Sequence, residues 1–467
     1  MIMVNGLRPA ATVNPETLAL FIWLEDQLRL RRSDYELYRG YYGGDHRVLL
    51  SDRLKAFLPQ DLLHSFRDNF CQPVVEAVRD RLNVTGFTSG SDDLAGWAWE
   101  LWQVQRMDAT QGIVHAETLI TGDGYLLVDW DTAVQSSRLT PQLAEMIVPH
   151  YSETTRKLDW ASKKWVETAE IGGTPTARLN LYYPERVEKY LGKNNVWQPF
   201  QEEGDADWPL PWLDLAGEPL GVPVIHFRND AHTADFGRSE ILDVVPLQDL
   251  LNKSLVDLVQ ILDTMGFPQR WTLNVAHGNS TVDIVPGSMN DFHAEEDGAQ
   301  VGQYPEANVD GPLKAIEVIV QHIASISRTP QHLFQIGGGQ PSGEALKTSE
   351  SGLVHKVKRK QVDLGNAWED AMMLAARIQG VFGEAVKGAD TDRLETTWAD
   401  PETRNEEAFL AGLGIKRTLG VPRQQVWREM GYDADEIAQM EQDLRAEKAA
   451  DANLGSEILR QFSQGQV

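Results

Sequence analysis

Two runs of apolar residues spaced three and four apart flank a glycine-rich break, and together they frame the chain. Leu313, Ile316, Val320, Ile323 and Ile326 fall on one face of a helix over 313–327. Pro330 biases Thr329 away from the α region, so that helix ends at Arg328-Thr329-Pro330. Gln331 to Pro341 follows, with Gln335, Ile336, Gly337, Gly338, Gly339 and Gln340 at its centre, and three consecutive glycines free the backbone. Ser342 has the side chain of an N-cap, and Glu344 lies in the first turn, where the helix dipole favours an anion. Leu346, Leu353, Val357, Leu364, Trp368, Met372, Ala375 and Ile378 then share a stripe that predicts a helix to about Gly380. At ~1.5 Å per residue this is a rod of roughly 57 Å, several times the usual helix.

A second helix is expected over 239–266, kinked or restarted at Pro246. It is apolar nearly all round, with Leu251, Leu255, Val259 and Leu262 among its large residues, so one covering face is not enough. Asp249, Lys253, Asp257 and Asp263 argue against a lipid-spanning helix and for one sandwiched inside the fold or between copies. Between these two helices, residues 267–310 carry seven acidic residues against Arg270 alone, with strand candidates at 270–275 and 281–285. Near the start, Asn14-Pro15-Glu16 opens a helix, and Tyr35, Tyr38, Tyr41 and Tyr42 beside Gly40, Gly43 and Gly44 read as a packed aromatic anchor at a hinge. Further helices are expected over 69–81 and 92–111, the latter bearing Trp97, Trp99 and Trp102, and another from Ile113. A strand follows the turn Thr121-Gly122-Asp123-Gly124, and short extended pieces continue through 145–230 as a β-rich lobe. Leu394 to Trp398 reads as a strand returning to that lobe, with helices over 406–413, 422–430 and 433–448 and a polar tail beyond 451.

Composition narrows the class. A chain of 467 residues with 42% hydrophobic content can build several cores. It has neither a signal-peptide start nor an apolar run long enough to span a bilayer, so it is expected in a cytoplasm without a membrane partner. Cys71, the single cysteine, excludes an intrachain disulfide framework and reads as a small core residue rather than a nucleophile. The net charge of −26 makes static gripping of nucleic acid a poor reading, yet walls that do not hold a polyanion suit one that must slide past. The trend reverses only at 347–360, where Lys347, Lys356, Lys358, Arg359 and Lys360 face Glu350 alone. These five are either a solvated or ion-paired face, the latter with a neighbouring copy's carboxylates, or contacts to phosphates.

Three stretches bear on catalytic chemistry. Gly338 and Gly343 have the glycine spacing of a phosphate-binding loop, but Glu344-Ala345 stand where that loop needs a lysine and a hydroxyl. The histidines show no metalloenzyme spacing, and there is no Gly-x-Ser-x-Gly elbow. The carboxylates between Glu202 and Glu218 sit among prolines and read as a solvated loop rather than a cation site. No catalytic, cofactor or metal residue is expected.

Thr329-Pro330-Gln331-His332, the glycine loop and Pro341 to Lys347 resemble the portal proteins of tailed bacteriophages, of the siphovirus type. The run Lys356 to Lys360 leading to Gly365-Asn366-Ala367-Trp368-Glu369, the string Asp80 to Phe87, and Phe236-Gly237-Arg238-Ser239-Glu240 share the same look. The resemblance implies an α+β portal fold. Its parts would be a wing over 1–238, stem helices at 239–266 and 311–330, a clip at 267–310, a tunnel loop at 331–341 and a tunnel helix at 342–380. A return strand to the wing at 381–400, a helical crown at 401–450 and a polar tail at 451–467 would complete it. It further implies a homo-oligomeric ring of about twelve copies, a dodecamer closed by symmetry. Such a ring forms a channel at one capsid vertex for packaging and ejecting double-stranded DNA. The implied partners are the terminase motor, scaffold and major capsid proteins, and head-completion or tail adaptors, with assembly in the host bacterial cytoplasm. A nucleotide-driven DNA enzyme and a non-channel capsid component are the alternatives.

Overall fold

Helix α1 (Pro15–Tyr42) starts at its cap, where Asn14 accepts a hydrogen bond from Thr17 N at 2.8 Å and Pro15 fills the first turn. The computed structural model describes residues 13–45, 68–167, 175–193, 196–201, 207–231, 235–265, 270–273, 300–303, 309–334, 343–402, 406–432 and 436–446. The tunnel loop Gln335 to Gln340, the cap at Ser342, the strand candidate at 281–285 and the polar tail lie outside them. The chain forms two compact units, residues 1–341 with 348–401, and residues 342–347 with 402–467.

In the large unit, α1 anchors through its tyrosines. Tyr35 and Tyr41 are buried, and Tyr41 donates to Asp249 at 2.6 Å. Helix α2 (Cys71–Arg79) buries Cys71 completely, and burial pushes the thiol up to about 12, which suits a core residue and not a nucleophile. Strand β1 (Val84–Ser89) is followed by two helices, whose boundary falls earlier than the 111–113 that the sequence suggested. These are α3 (Asp92–Val104) and α4 (Met107–Thr121). The break falls at Arg106, whose φ of 55° no continuing helix can hold. Gly122, at φ 94°, ends α4 and turns the chain into β2 (Asp123–Asp131).

The β-rich lobe is antiparallel throughout. Strands β2, β3 (Ser136–Gln142) and β10 (Val224–Arg228) form one sheet in the order β10-β2-β3. A second sheet is a meander of β4 (Ile147–Tyr151), β5 (Leu158–Glu167), β6 (Thr176–Tyr182), β7 (Arg186–Lys193) and β8 (Val196–Pro199), with β9 (Leu210–Pro211) on β7. Phe21 and Leu24 of α1 pack on its Val148, Leu179, Leu181 and Tyr190 as a separate small core.

Helix α5 (Val245–Met265) starts at Val245 with Pro246 in its first turn, a restart rather than a kink, since proline is tolerated there. Short strands β11 (Arg270–Leu273) and β12 (Gln300–Gln303) pair antiparallel ahead of α6 (Asp310–Ser327), which ends at Arg328 with φ 54°. Helix α7 (Gly343–Phe382) runs 40 residues, and Leu353, Val357, Leu364, Trp368, Met372, Ala375 and Ile378 are all buried. Its Trp368 lies in the main core, edge-on to Trp102 at 4.9 Å and to Phe227 at 4.7 Å. Strand β13 (Leu394–Trp398) returns as expected, but to β1 rather than to the meander. No helix among the described residues is long and apolar enough to cross a membrane. In the small unit, α8 (Glu406–Thr418), α9 (Arg423–Met430) and a helical stretch over 436–446 bury Leu413, Val426 and Ile437.

Trp368 donates its ring N–H to His115 Nε2 at 3.0 Å, so His115 carries its proton on Nδ1. Full burial pushes His115 down to about 4. An unfolded histidine titrates near ~6.5, so this group contributes about 3 kcal/mol that is present above pH 6.5 and lost as pH falls towards 4. Thermal unfolding at a series of pH values across that window should show a steep loss for wild type and a shallower one for His115→Gln. Equal slopes would exclude His115 as a source of acid sensitivity.

Candidate functional site

The five residues Phe236-Gly237-Arg238-Ser239-Glu240 precede α5 and tie it to three other elements. Gly237 presses against Gly122 so closely that a Cβ there would lie 1.9 Å from the Gly122 carbonyl oxygen. Only glycine permits that approach. Gly122 O in turn accepts from Asn229 N at 2.8 Å, and Asn229 exchanges bonds with Arg238, whose N–H donates at 2.6 Å and whose carbonyl accepts at 2.7 Å. Ser239 Oγ donates to Ile120 O at 2.6 Å and Glu240 N to Leu119 O at 2.9 Å, which fastens the segment to the end of α4.

Two buried charge clusters sit on either side of the segment. On one side Asp123 accepts from Gly237 N at 2.7 Å, from His226 Nε2 at 2.9 Å, from Tyr35 OH at 2.8 Å and from Arg31. Burial opposes the Asp123 charge, but His226, Arg31 and the Gly237 N–H outweigh it and hold the carboxyl below the usual range. Burial likewise pushes His226 down, so its neutral ring donates to Asp123 while Nδ1 accepts from Tyr151 OH at 2.8 Å. On the other side Glu240 receives Lys356 and Lys360, each at 2.7 Å. Lys356 also donates to Ser327 O at 2.6 Å, at the end of α6, and Lys360 to Asp230 at 3.0 Å and to Asn229. Burial disfavours the Glu240 carboxylate, yet the two ammonium groups outweigh it and hold it down at about 2. One carboxylate therefore joins α5, α6 and α7.

The expected site residues separate on this geometry. Lys356 and Lys360, read as phosphate contacts or as partners of a neighbouring copy, answer Glu240 of their own chain and are largely buried. Arg359 lies 3.9 Å from Asp230 with its side chain 58% exposed, and Lys358 is exposed. The side chain of Lys347 lies outside the described residues. On α5, Leu251 is buried in the chain's own core rather than held out for a neighbour, Leu255 and Val259 are half-buried, and Leu262 is 50% exposed. The sequence reading missed Asp123, His226 and Glu240 as a junction. The available signal was a pair of lysines at i, i+4 on one face of a core helix, which requires a carboxylate from elsewhere. No group of side chains that could hold a metal ion occurs among the described residues.

Replacing Glu240 with glutamine leaves Lys356 with no carboxylate and Lys360 with Asp230 alone. Denaturant unfolding at pH 7 should show a loss of about 3–5 kcal/mol, partly recovered when Lys356→Met is added. Because the Glu240 pKa is depressed, its contribution is present above the usual carboxylate range and is lost as pH falls towards 2. A Glu240→Gln variant as stable as wild type would remove the junction's energetic role.

The family model "Phage portal protein, SPP1 Gp6-like" matches residues 23–452. The portal protein of Mycobacterium phage D29 is 25% identical over 401 residues, covering 78% of this chain and 76% of that protein. That of Mycobacterium phage L5 is 27% identical over 398 residues, again 78% and 76%. A chain from the neck of an empty GTA particle is 12% identical, with a TM-score of 0.41 over 75% of this chain and 88% of that one. With the family model spanning nearly its whole length, the chain belongs to the SPP1 Gp6-like family of phage portal proteins and has the role of a portal protein.

Proposed function

We propose that copies of this chain close into a ring of about twelve around an axial channel at a capsid vertex, through which double-stranded DNA enters and leaves. The observation that carries this reading is the apolar surface of α5 and α6. Leu250, Leu262, Leu313, Val318 and Ile326 are each between 41% and 51% exposed in a single copy. Apolar surface on two adjacent rods calls for cover, and a neighbouring copy supplies it in a closed ring. Helices α5 and α6 then serve as the stem, the β11–β12 pair as the base of the clip, α7 as the tunnel helix and 335–340 as the tunnel loop. The β-rich lobe with α1 to α4 is the wing, and α8 and α9 belong to the crown.

Charge assigns a role to each stretch of the channel. The acidic insert at 267–310 repels phosphate and lets the duplex slide, while Lys358, with Arg359 beside it, approaches it from α7. Lys356 and Lys360 instead hold α7 in place. The role is structural rather than catalytic, with terminase, scaffold, major capsid protein and head-completion adaptors as the partners that dock on the ring.

Leu250 and Leu262 test the reading without disturbing the core, because both are about half exposed in one copy. Changing both to aspartate should leave the circular dichroism of the chain unchanged and shift sedimentation from rings to small species. Intact rings would show that this face of α5 meets solvent.

A further inference from the structure

A cleft of about 780 Å³ runs along α7 in the large unit, between that helix and the strands β4, β5 and β10. Val222, Val224, Ala367 and Leu374 give it an apolar floor. Around them stand Arg156, Lys157, Arg228, Arg359 and Arg377, against the carboxylates Asp230, Asp363 and Asp370 and against Asp235, which pairs with Arg156 at 3.3 Å. A positive excess in a chain of net charge −26 marks a place for an acidic group. The three carboxylates within it disfavour a phosphate backbone, whereas an apolar floor with a mixed, mainly basic rim fits a peptide bearing both a hydrophobic side chain and carboxylates.

The same chain presents such a peptide. Residues 213–219 form a tight hairpin in which Leu213 bridges Pro219, Asp214 N donates to Glu218 O at 2.8 Å and Gly217 takes φ 86°. Asp214 Oδ1 accepts from Ala216 N and Glu218 N at 2.8 Å each, which holds the turn shut. At its tip Leu215 is 82% exposed, above every other large hydrophobic side chain described, with Asp214 and Glu218 on either side. A rigid tip loses little conformational freedom on binding.

We infer that the Leu213–Pro219 hairpin of one copy seats in the α7 cleft of the next, Leu215 on the apolar floor and its flanking carboxylates on the basic rim. Two different surfaces meet in such a contact, which is the heterologous kind that propagates around a ring. The inference rests on the ring reading above.

Two exposed positions report on it directly. In a Leu215→Cys, Asn366→Cys double variant the only other thiol, Cys71, is fully buried. Oxidised rings should give a ladder of covalent multimers on a non-reducing gel, and each single variant none. A disulfide within one chain, or thiols left unreacted in intact rings, overturns the contact while the ring stands. Wild-type protein that sediments as monomer overturns ring and contact together. As a second measurement, Leu215→Asp should at least tenfold weaken assembly with circular dichroism unchanged, and wild-type assembly by that variant would also refute the contact.

Discussion

A buried charge survives only if it is answered, and the seating of α7 depends on one such answer. Glu240 lies between Lys356 and Lys360, one helical turn apart, and each ammonium group approaches to 2.7 Å. Desolvating three ions is costly, and removing any one of them costs more than the pair gains. The geometry thus fixes the rotation of a 40-residue helix about its own axis, because Lys356 and Lys360 share the face that meets Glu240 while Lys358 between them lies on the exposed side. Ser327 O adds the end of α6 to the same point, and the Gly122–Gly237 contact adds the start of β2. The short segment 236–240 is constrained at every residue but the first by these bonds.

Local rules made much of this legible in advance. The stripe on α7 needed only the 3.6 period, and all seven of its described members are buried. Asn14-Pro15 gave the start of α1, and Gly122 the end of α4. Where local rules failed, a long-range or non-local cause prevailed. The break between α3 and α4 sits on Arg106, a residue with no intrinsic preference for positive φ, so nothing in the string marks it. The partner of Lys356 lies 116 residues away, beyond any periodicity argument. A surplus of lysines looked like a basic surface because the sequence does not tell which of them face inwards. Leu251 illustrates the converse, since a helix apolar all round reads the same whether its own chain or a neighbour covers a given leucine.

These parts describe a division of labour along one chain. Buried ion pairs and aromatic packing around Trp368 make the sheet β10-β2-β3, α5, α6 and α7 into one braced frame. Charge that is spent inside that frame cannot contact a passing duplex, so in the proposed ring the channel surface is left to a few exposed cations and a largely acidic remainder. A frame of this kind can hold a moving polyanion loosely without itself giving way.

Electron microscopy of the purified full-length protein tests this most directly. The account predicts closed rings with an open centre, α7 of every copy along the wall of that opening and the β-rich lobe at the outer rim. Single copies at high concentration, or rings in which α7 lies away from the central opening, would contradict it.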